Sequence, residues 1–344
     1  MNYIGSKLSL LSFIDLVVEN LGLSGDIVFC DIFAGTGAVS KYFKNKGYKI
    51  ISNDIQNYSY VTIKHLIGNN LELKFKKLCS KGISPFYYLN SLSGKEGFIY
   101  NNYSAGGTKY SEYNRLYFTD ENSKKIDAIR IQIENWKNEE LININEYNHL
   151  ISSLIESADK VANTASVYEA FLKKIKKSAQ KELVLTPIET ITSNIEHEIF
   201  NEDANKLIRK IEGDILYLDP PYNTRKYNTN YHILETISLY DNPPIKGITG
   251  VRIDDSKKSL YCSKREAKEA LDDLIKNAKF KYILLSYNNE GIISINDIQD
   301  IMSKYGGYTS YKKEYKRFKA DKDSNRKHKE GAVYEYIHCL EKND

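Results

Sequence analysis

The segment DILYLDPPYNTRKY, Asp214 to Tyr227, runs Ile215, Leu216, Tyr217 and Leu218 straight into Asp219, Pro220, Pro221 and Tyr222. The apolar run predicts a short, fully buried strand, and two consecutive prolines forbid both its continuation and an immediate helix. Asp219 and Tyr222 are thereby held stiffly at a strand end. A second segment, DIVFCDIFAGTGAVSKYFKNKGYKIISNDI, ends a strand at Asp31, turns at Gly35 and Gly37, and enters a helix. The glycines let the backbone turn tightly and approach a ligand, and the helix start presents free N–H groups. Asp54 closes the following strand, where a carboxylate can accept hydrogen bonds from ribose hydroxyls. A nucleoside-containing ligand fits this chemistry. Ser40 stands where a GxGxxG fingerprint has its third glycine, which favours a nucleoside without a pyrophosphate; an ordinary glycine-tightened turn is the competing account.

Positioning those residues takes a βαβ unit: strand Ile27 to Asp31, helix Val39 to Asn45, strand Tyr48 to Ser52. The α/β pattern resumes with the strand before Asp219. It continues through a helix containing Lys264 to Lys276, the strand KYILLSYNNEG, and closing strands around Tyr311 to Phe318 and Ala332 to Cys339. In an open α/β sheet the ends at Asp31, Asp54 and Asp219 face one crevice. Between these parts, from about Leu71 to Lys177, the chain is polar and rich in Asn, Ser and Tyr. The loop YNNYSAGGTKYSEYNR and helices predicted around Ser123 to Trp136 and Tyr168 to Lys177 mark it as an insertion or second domain.

A chain of 344 residues, 41% hydrophobic, can bury a sizeable core. No segment has the apolar length to span a bilayer, and MNYIGSKLSLL lacks the zones of a signal peptide, so a cytosolic protein is expected. Cys30, Cys79, Cys262 and Cys339 are scattered without CxxC spacing, which indicates reduced thiols and no metal site. The net charge of +4 says little, but Ser310 to Lys329 gathers nine Lys or Arg against three acids. That stretch predicts a hairpin whose tip, Asp321 to Lys329, reaches a phosphate backbone or simply stands in water.

NYIGSK, DIFAGTG and DPPY, in that order, resemble motifs X, I and IV of S-adenosylmethionine-dependent adenine-N6 DNA methyltransferases, specifically the D12 class with its Dam and FokI-type enzymes. GFIYNNYS, RLYFTDENSKKIDAIR and DPPYNTRKYNTNYHILETI look most like the FokI-type branch. The resemblance implies an α/β, Rossmann-like methyltransferase fold: a mixed, mostly parallel sheet ending in an antiparallel hairpin, with a mainly helical inserted target-recognition region. Residues 1–70 and 181–344 would form the catalytic domain and 71–180 the target-recognition region. The implied reaction is methyl transfer from S-adenosyl-L-methionine to N6 of an adenine flipped out of a specific duplex DNA site, without a metal. Such a protein serves in the bacterial cytoplasm, associated with the nucleoid, either beside a cognate restriction endonuclease encoded elsewhere or as a solitary methylase.

Site residues carry over by position. The Asp219 carboxylate and Pro220 carbonyl would accept the two N–H bonds of adenine N6, with Pro221 stiffening the turn and Tyr222 stacking on the base. Asp31, Phe33, Gly35 and Gly37 match motif I, Asp54 the acidic ribose contact, Tyr3, Gly5 and Lys7 motif X, and Asp203 the acid that meets the cofactor's adenine. A solvated N-terminus and a helix N-cap at Asp203 are the plain alternatives. Arg225, Lys226, Tyr227, Asn230 and His232 are expected on DNA beside the pocket, with Arg326 and Lys327 at the hairpin tip; an exposed polar loop is the competing account. The lysine-rich FLKKIKKSAQK, expected as a helix, either docks on phosphates or faces water. His65 is read as a structural histidine and His328 as a surface residue. Two other functions stay open at this stage: methylation of RNA adenine or a protein amide, disfavoured by Asp219 where those enzymes carry Asn, and a catalytically inactive nucleic-acid-binding module.

Overall fold

The computed structural model describes residues 5–224, 227–254, 259–315 and 333–343. They form two compact units: residues 6–55, 195–224, 259–315 and 333–343 make an α/β unit, and residues 5, 56–194 and 227–254 make a mainly helical one.

The α/β unit is a seven-stranded sheet of β1 (Val28–Asp31), β2 (Lys49–Asn53), β3 (Glu198–Phe200), β4 (Glu212–Leu218), β5 (Lys279–Asn288), β6 (Gly306–Tyr315) and β7 (Val333–Lys342). The spatial order is β3-β2-β1-β4-β5-β7-β6. The first five strands run parallel, and β7 enters antiparallel between β5 and β6. This is the expected mixed sheet with an antiparallel end. Strand β4 is apolar because it is central: Ile215, Leu216, Tyr217 and Leu218 are all buried. Its second residue is Gly213 for want of space, since a Cβ there would stand 2.8 Å from a Val28 methyl and 2.9 Å from the Phe280 ring. The helix Ala267–Asn277 covers one face with Leu271, Leu274 and Ile275, which pack in one cluster with Leu216, Leu218, Ile283 and Leu285.

The helical unit is built on Asn57–Leu66, Asp120–Asn138, Ile144–Lys160 and His232–Leu239. It is larger than the interval 71–180 because the first and last of these helices share its core: Tyr58, Val61, Ile233, Leu234 and Ile237 join Ile126, Ile129, Leu150, Ile151 and Leu154 in one cluster. Polar side chains tie the same helices together. Glu235 accepts the N–H groups of Asn57 and Tyr58 at 3.0 and 2.9 Å, satisfying donors that a helix start leaves open. Arg130 donates to the carbonyls of Ile237, Ser238 and Leu239, the matching acceptors at a helix end.

Among the elements that differ from the sequence expectation, two have a plain physical reason. Ile144–Lys160 is a helix that the expectation omitted, although Asn143 and Glu146 form a complete capping box at its start. Tyr168 to Lys177, expected as a helix together with FLKKIKKSAQK, has no helical assignment. Its backbone groups are taken by other partners: the Lys176 N–H donates to the Asn163 side chain, the Leu172 N–H to the Asn163 carbonyl, and the Tyr168 carbonyl accepts from the buried Tyr117 hydroxyl. Fixed tertiary partners here outweigh a modest helical propensity.

Candidate active site

Strand register brings the acids to one edge of the α/β unit. Asp31 pairs with Ser52 of β2 on one side and Tyr217 of β4 on the other, so Asp54 and Asp219 each lie two residues beyond the paired row. Asn53 stitches the loops that follow, donating to the carbonyls of Ile32 and Glu202 and accepting from the Glu202 N–H. Gly35 and Gly37 adopt φ of 53° and 76°, left-handed values that glycine takes without strain. The Gly35 N–H donates to Asp54 Oδ2 at 2.8 Å, which fixes the turn against the acid.

Asp31 is buried and accepts from the Ser40 N–H and hydroxyl at 3.2 and 2.8 Å, so the residue in place of a third glycine holds the acid to the helix start. Burial drives its pKa from 3.8 to about 7; the Ser40 hydrogen bonds oppose the rise, and the Asp219 and Asp54 charges add to it. The folded chain thus keeps a proton that the unfolded chain releases above pH 4, and stability falls as pH climbs from about 4 to about 7. His149, His197, His232 and His338, lowered by burial, act in the opposite sense, so the comparison must be with a variant. Thermal melts of the cofactor-free protein across that window are expected to fall less steeply with rising pH for Asp31→Asn than for the parent.

Asp219 ends β4 with its side chain 17% exposed. The Lys7 ammonium lies 3.1 Å from its buried Oδ1, an ion-pair distance. Burial raises the Asp219 carboxyl to about 6, with Lys7 pulling it down and Glu335 pushing it up. Pro220 is buried behind it. The Tyr222 ring meets the Tyr287 ring edge-on at 5.8 Å, and its carbonyl accepts from the Ile292 N–H at 3.0 Å. Phe33 packs edge-on against Tyr261 at 5.1 Å.

The other sequence candidates fall out as follows. Asp203 caps the short helix Ala204–Leu207 through the Lys206 N–H, the plain alternative weighed for it. Lys7, assigned to the cofactor, is enclosed between Asp219 and Glu335. Gly5 has φ of 85°. Asn230 and His232 are corrections: both are buried in the helical unit, where His232 Nε2 lies 3.0 Å from the Tyr168 carbonyl and the Asn230 carbonyl accepts the Tyr168 N–H, so neither is exposed for DNA. His65 is structural as read, buried with Nε2 at 2.8 Å from the Glu189 carbonyl and 3.0 Å from His149. Tyr3, Arg225, Lys226, Arg326, Lys327 and His328, and the side chain of Tyr227, lie outside the described residues.

Sequence reasoning passed over Glu335 and Ser286. A signal existed for the first: Glu335 shares the inward face of an alternating strand with Ile337 and Cys339, both buried, and an acid there requires a partner.

The family model for D12 class N6 adenine-specific DNA methyltransferases matches residues 3–301. The chain belongs to this class. It is 48% identical to the type II methyltransferase M.NlaIII of Neisseria lactamica over 99% of both chains, and 38% identical to M.CviAII of Paramecium bursaria Chlorella virus 1 over 93% of both. It is 41% identical to M.FokI of Planomicrobium okeanokoites over 99% of its own length and 53% of that protein, spanning about half of it. As a D12 enzyme it is an adenine-specific DNA methyltransferase that uses S-adenosylmethionine, of the type that serves as modification methylase in restriction-modification systems. The residues present suit that cofactor. Carboxylates at neighbouring strand ends match ribose hydroxyls and a cationic sulfonium, and a left-handed glycine turn gives the close backbone approach. Among the described residues, no cluster of His, Cys, Asp and Glu could hold a metal, and no helix is long and apolar enough to cross a membrane.

Proposed function

We propose that the Asp219 carboxylate and the Pro220 carbonyl accept the two N–H bonds of an adenine N6, and that Tyr222 stacks on the flipped base. The observation that carries this is the Asp219 carboxylate, largely shielded but 17% exposed, at the end of a central strand and followed by two prolines. The exocyclic nitrogen is a poor nucleophile because its lone pair is delocalised into the ring. Two acceptors held by a stiff Pro-Pro backbone draw its protons out of that conjugation and place the developing charge where the transition state needs it. S-adenosylmethionine, when bound, supplies an electrophilic methyl group on a sulfonium. Asp54, Phe33, Gly35 and Gly37 hold that cofactor, with Asp31 supporting the turn through Ser40 and Asp203 and Gly5 at its margins. The helical unit reads the target sequence, Arg225, Lys226, Tyr227, Arg326 and Lys327 meet the DNA, and a cognate restriction endonuclease in the same cytoplasm is the biological partner.

Methyl-labelled cofactor and unmethylated duplex DNA, followed by nucleoside mass spectrometry, test the chemistry. Label in N6-methyladenine is expected, and N4-methylcytosine instead would sink the assignment. Asp54→Ala is expected to raise the cofactor Kd about ten-fold or more, the worth of a charge-assisted hydrogen bond. Isothermal titration gives the value, and an unchanged Kd would remove Asp54 from the cofactor site.

A further inference from the structure

Residues 172–185 of the helical unit carry a concentration of positive charge on a backbone that is tied down at several points. Lys173, Lys174, Lys177 and Lys181 are exposed, and among the described residues none of the four is ion-paired. The segment's one acid is engaged elsewhere: burial lowers the Lys125 pKa and the neighbouring Glu182 opposes the drop. The backbone here belongs to neither helix nor strand, and asparagine side chains take its polar groups. Asn163, fully buried, donates through Nδ2 to the Leu116 and Leu172 carbonyls, both at 2.9 Å, and accepts the Lys176 N–H on Oδ1 at 3.0 Å. Its own N–H and carbonyl bond Tyr117 and Leu172. Asn122, also buried, donates to the Lys181 carbonyl at 2.9 Å and accepts the Leu183 N–H at 2.8 Å. Asn90 makes the same pair of bonds with Leu185. Ala179, Leu183 and Leu185 are buried, and Lys176 turns inward to donate to the Thr164 carbonyl at 2.7 Å.

We propose that Lys173, Lys174, Lys177 and Lys181 form a phosphate-binding track that supplies a sequence-independent part of the affinity for duplex DNA. The inference rests on the reading above that the helical unit engages the DNA. A lysine run that only keeps a surface wet needs no fixed backbone, and a loose chain would let its charges move apart. Here four like charges are kept close in sequence and in place by bonds to buried asparagines, against their mutual repulsion. A polyanion relieves that repulsion, and the substrate of this class is one. Because the backbone is ordered beforehand, only the lysine side chains lose freedom when the duplex arrives. An ammonium meets phosphate as a point charge, with no demand on base identity, so the track holds DNA without reading it. It therefore acts on non-target DNA as fully as on the target.

The full chain carrying Lys173→Gln, Lys174→Gln, Lys177→Gln and Lys181→Gln together tests this, with Lys176 left in its inward role. Fluorescence anisotropy with a labelled duplex of mixed sequence, titrated between about 50 and about 200 mM salt, gives the slope of log affinity against log salt concentration. Each lysine that meets a phosphate contributes about 0.9 to that slope, so the variant's slope is expected to be shallower by about 2–4, with Kd at the lowest salt raised about ten-fold or more. Cofactor Kd and kcat at saturating unmethylated DNA stay at the parent values. Arg at the same four positions keeps the charge and is expected to restore the parent slope. If the fourfold Gln protein fails to fold, Lys173→Gln with Lys174→Gln reads about half the effect. A slope changed by less than about 0.5 in either Gln protein, or an equal weakening at every salt concentration, overturns the inference. Ultraviolet cross-linking of the parent to the same duplex, read by peptide mass spectrometry, keeps the failures apart. Cross-links in the helical unit outside residues 172–185, together with a parent-like slope in the variant, remove only the lysine track. Cross-links absent from the whole of residues 56–194 and 227–254 overturn the reading of the helical unit and the track with it.

Discussion

Asp219→Ala is expected to lower kcat by about a thousand-fold or more while the protein remains folded and binds its cofactor with near-parent affinity. The loss is large because no other described side chain of the α/β unit offers an acceptor fixed by consecutive prolines at the same strand end. The fold should survive because Lys7 keeps its shorter ion pair with Glu335. Stability is a second signature, and its sign is fixed by burial. The Asp219 carboxyl is raised from 3.8 to about 6, so its ionisation in the folded state is unfavourable and the stability it contributes below pH 4 is lost as pH rises through 6. At pH 8 the Ala variant should therefore melt closer to, or above, the parent than it does at pH 4. The parent's kcat is expected to rise with pH through about 6, as Asp219 ionises. Stopped-time assays with labelled cofactor and paired thermal melts give both numbers. A variant that is stabilised at pH 8 and inactive fits a site that trades stability for function; one that is inactive because it has lost its cofactor does not.

Much of this site could be read from the chain because its chemistry is local. DIFAGTG and DPPY each place an acid, a turn and a stiff backbone within a few residues, and parallel pairing of β1, β2 and β4 carries them to one edge. Glu335 was not legible in the same way. Its partner lies 328 residues away, and only the strand order β4-β5-β7 brings the two together. Asn230 and His232 misled for a related reason: next to DPPY in sequence, they belong by packing to the helical unit, where Tyr168 takes their polar atoms. Sequence neighbourhood predicts chemistry when the residues share a strand end, and fails where the chain crosses from one unit to another.

The segments GFIYNNYS and KIDAIR carried much of the family likeness without an evident catalytic role, and the structure supplies one in folding. Asp127, buried on the Asp120–Asn138 helix, accepts from the N–H groups of Gly97, Ile99 and Tyr100 at the start of the Phe98–Tyr103 helix, and from the Tyr240 hydroxyl at 2.6 Å. Gly97 is required for the approach, since a Cβ there would sit 2.5 Å from that hydroxyl and 2.7 Å from the Asp127 carboxyl carbon. Burial pushes the Asp127 pKa up, and the four donors pull it back. Asp127→Ala leaves three backbone donors and a phenol without their acceptor and is expected to cost about 3–5 kcal/mol, a large part of a typical domain's stability. Trp136, the single tryptophan of the chain, is buried on the same helix, so its fluorescence during urea unfolding reports this unit directly. The midpoint should fall sharply while cofactor binding, proposed above for residues of the α/β unit, persists at low denaturant. A stability loss of less than about 1 kcal/mol would mean that water replaces the carboxylate, and the shared segments would then need a different explanation.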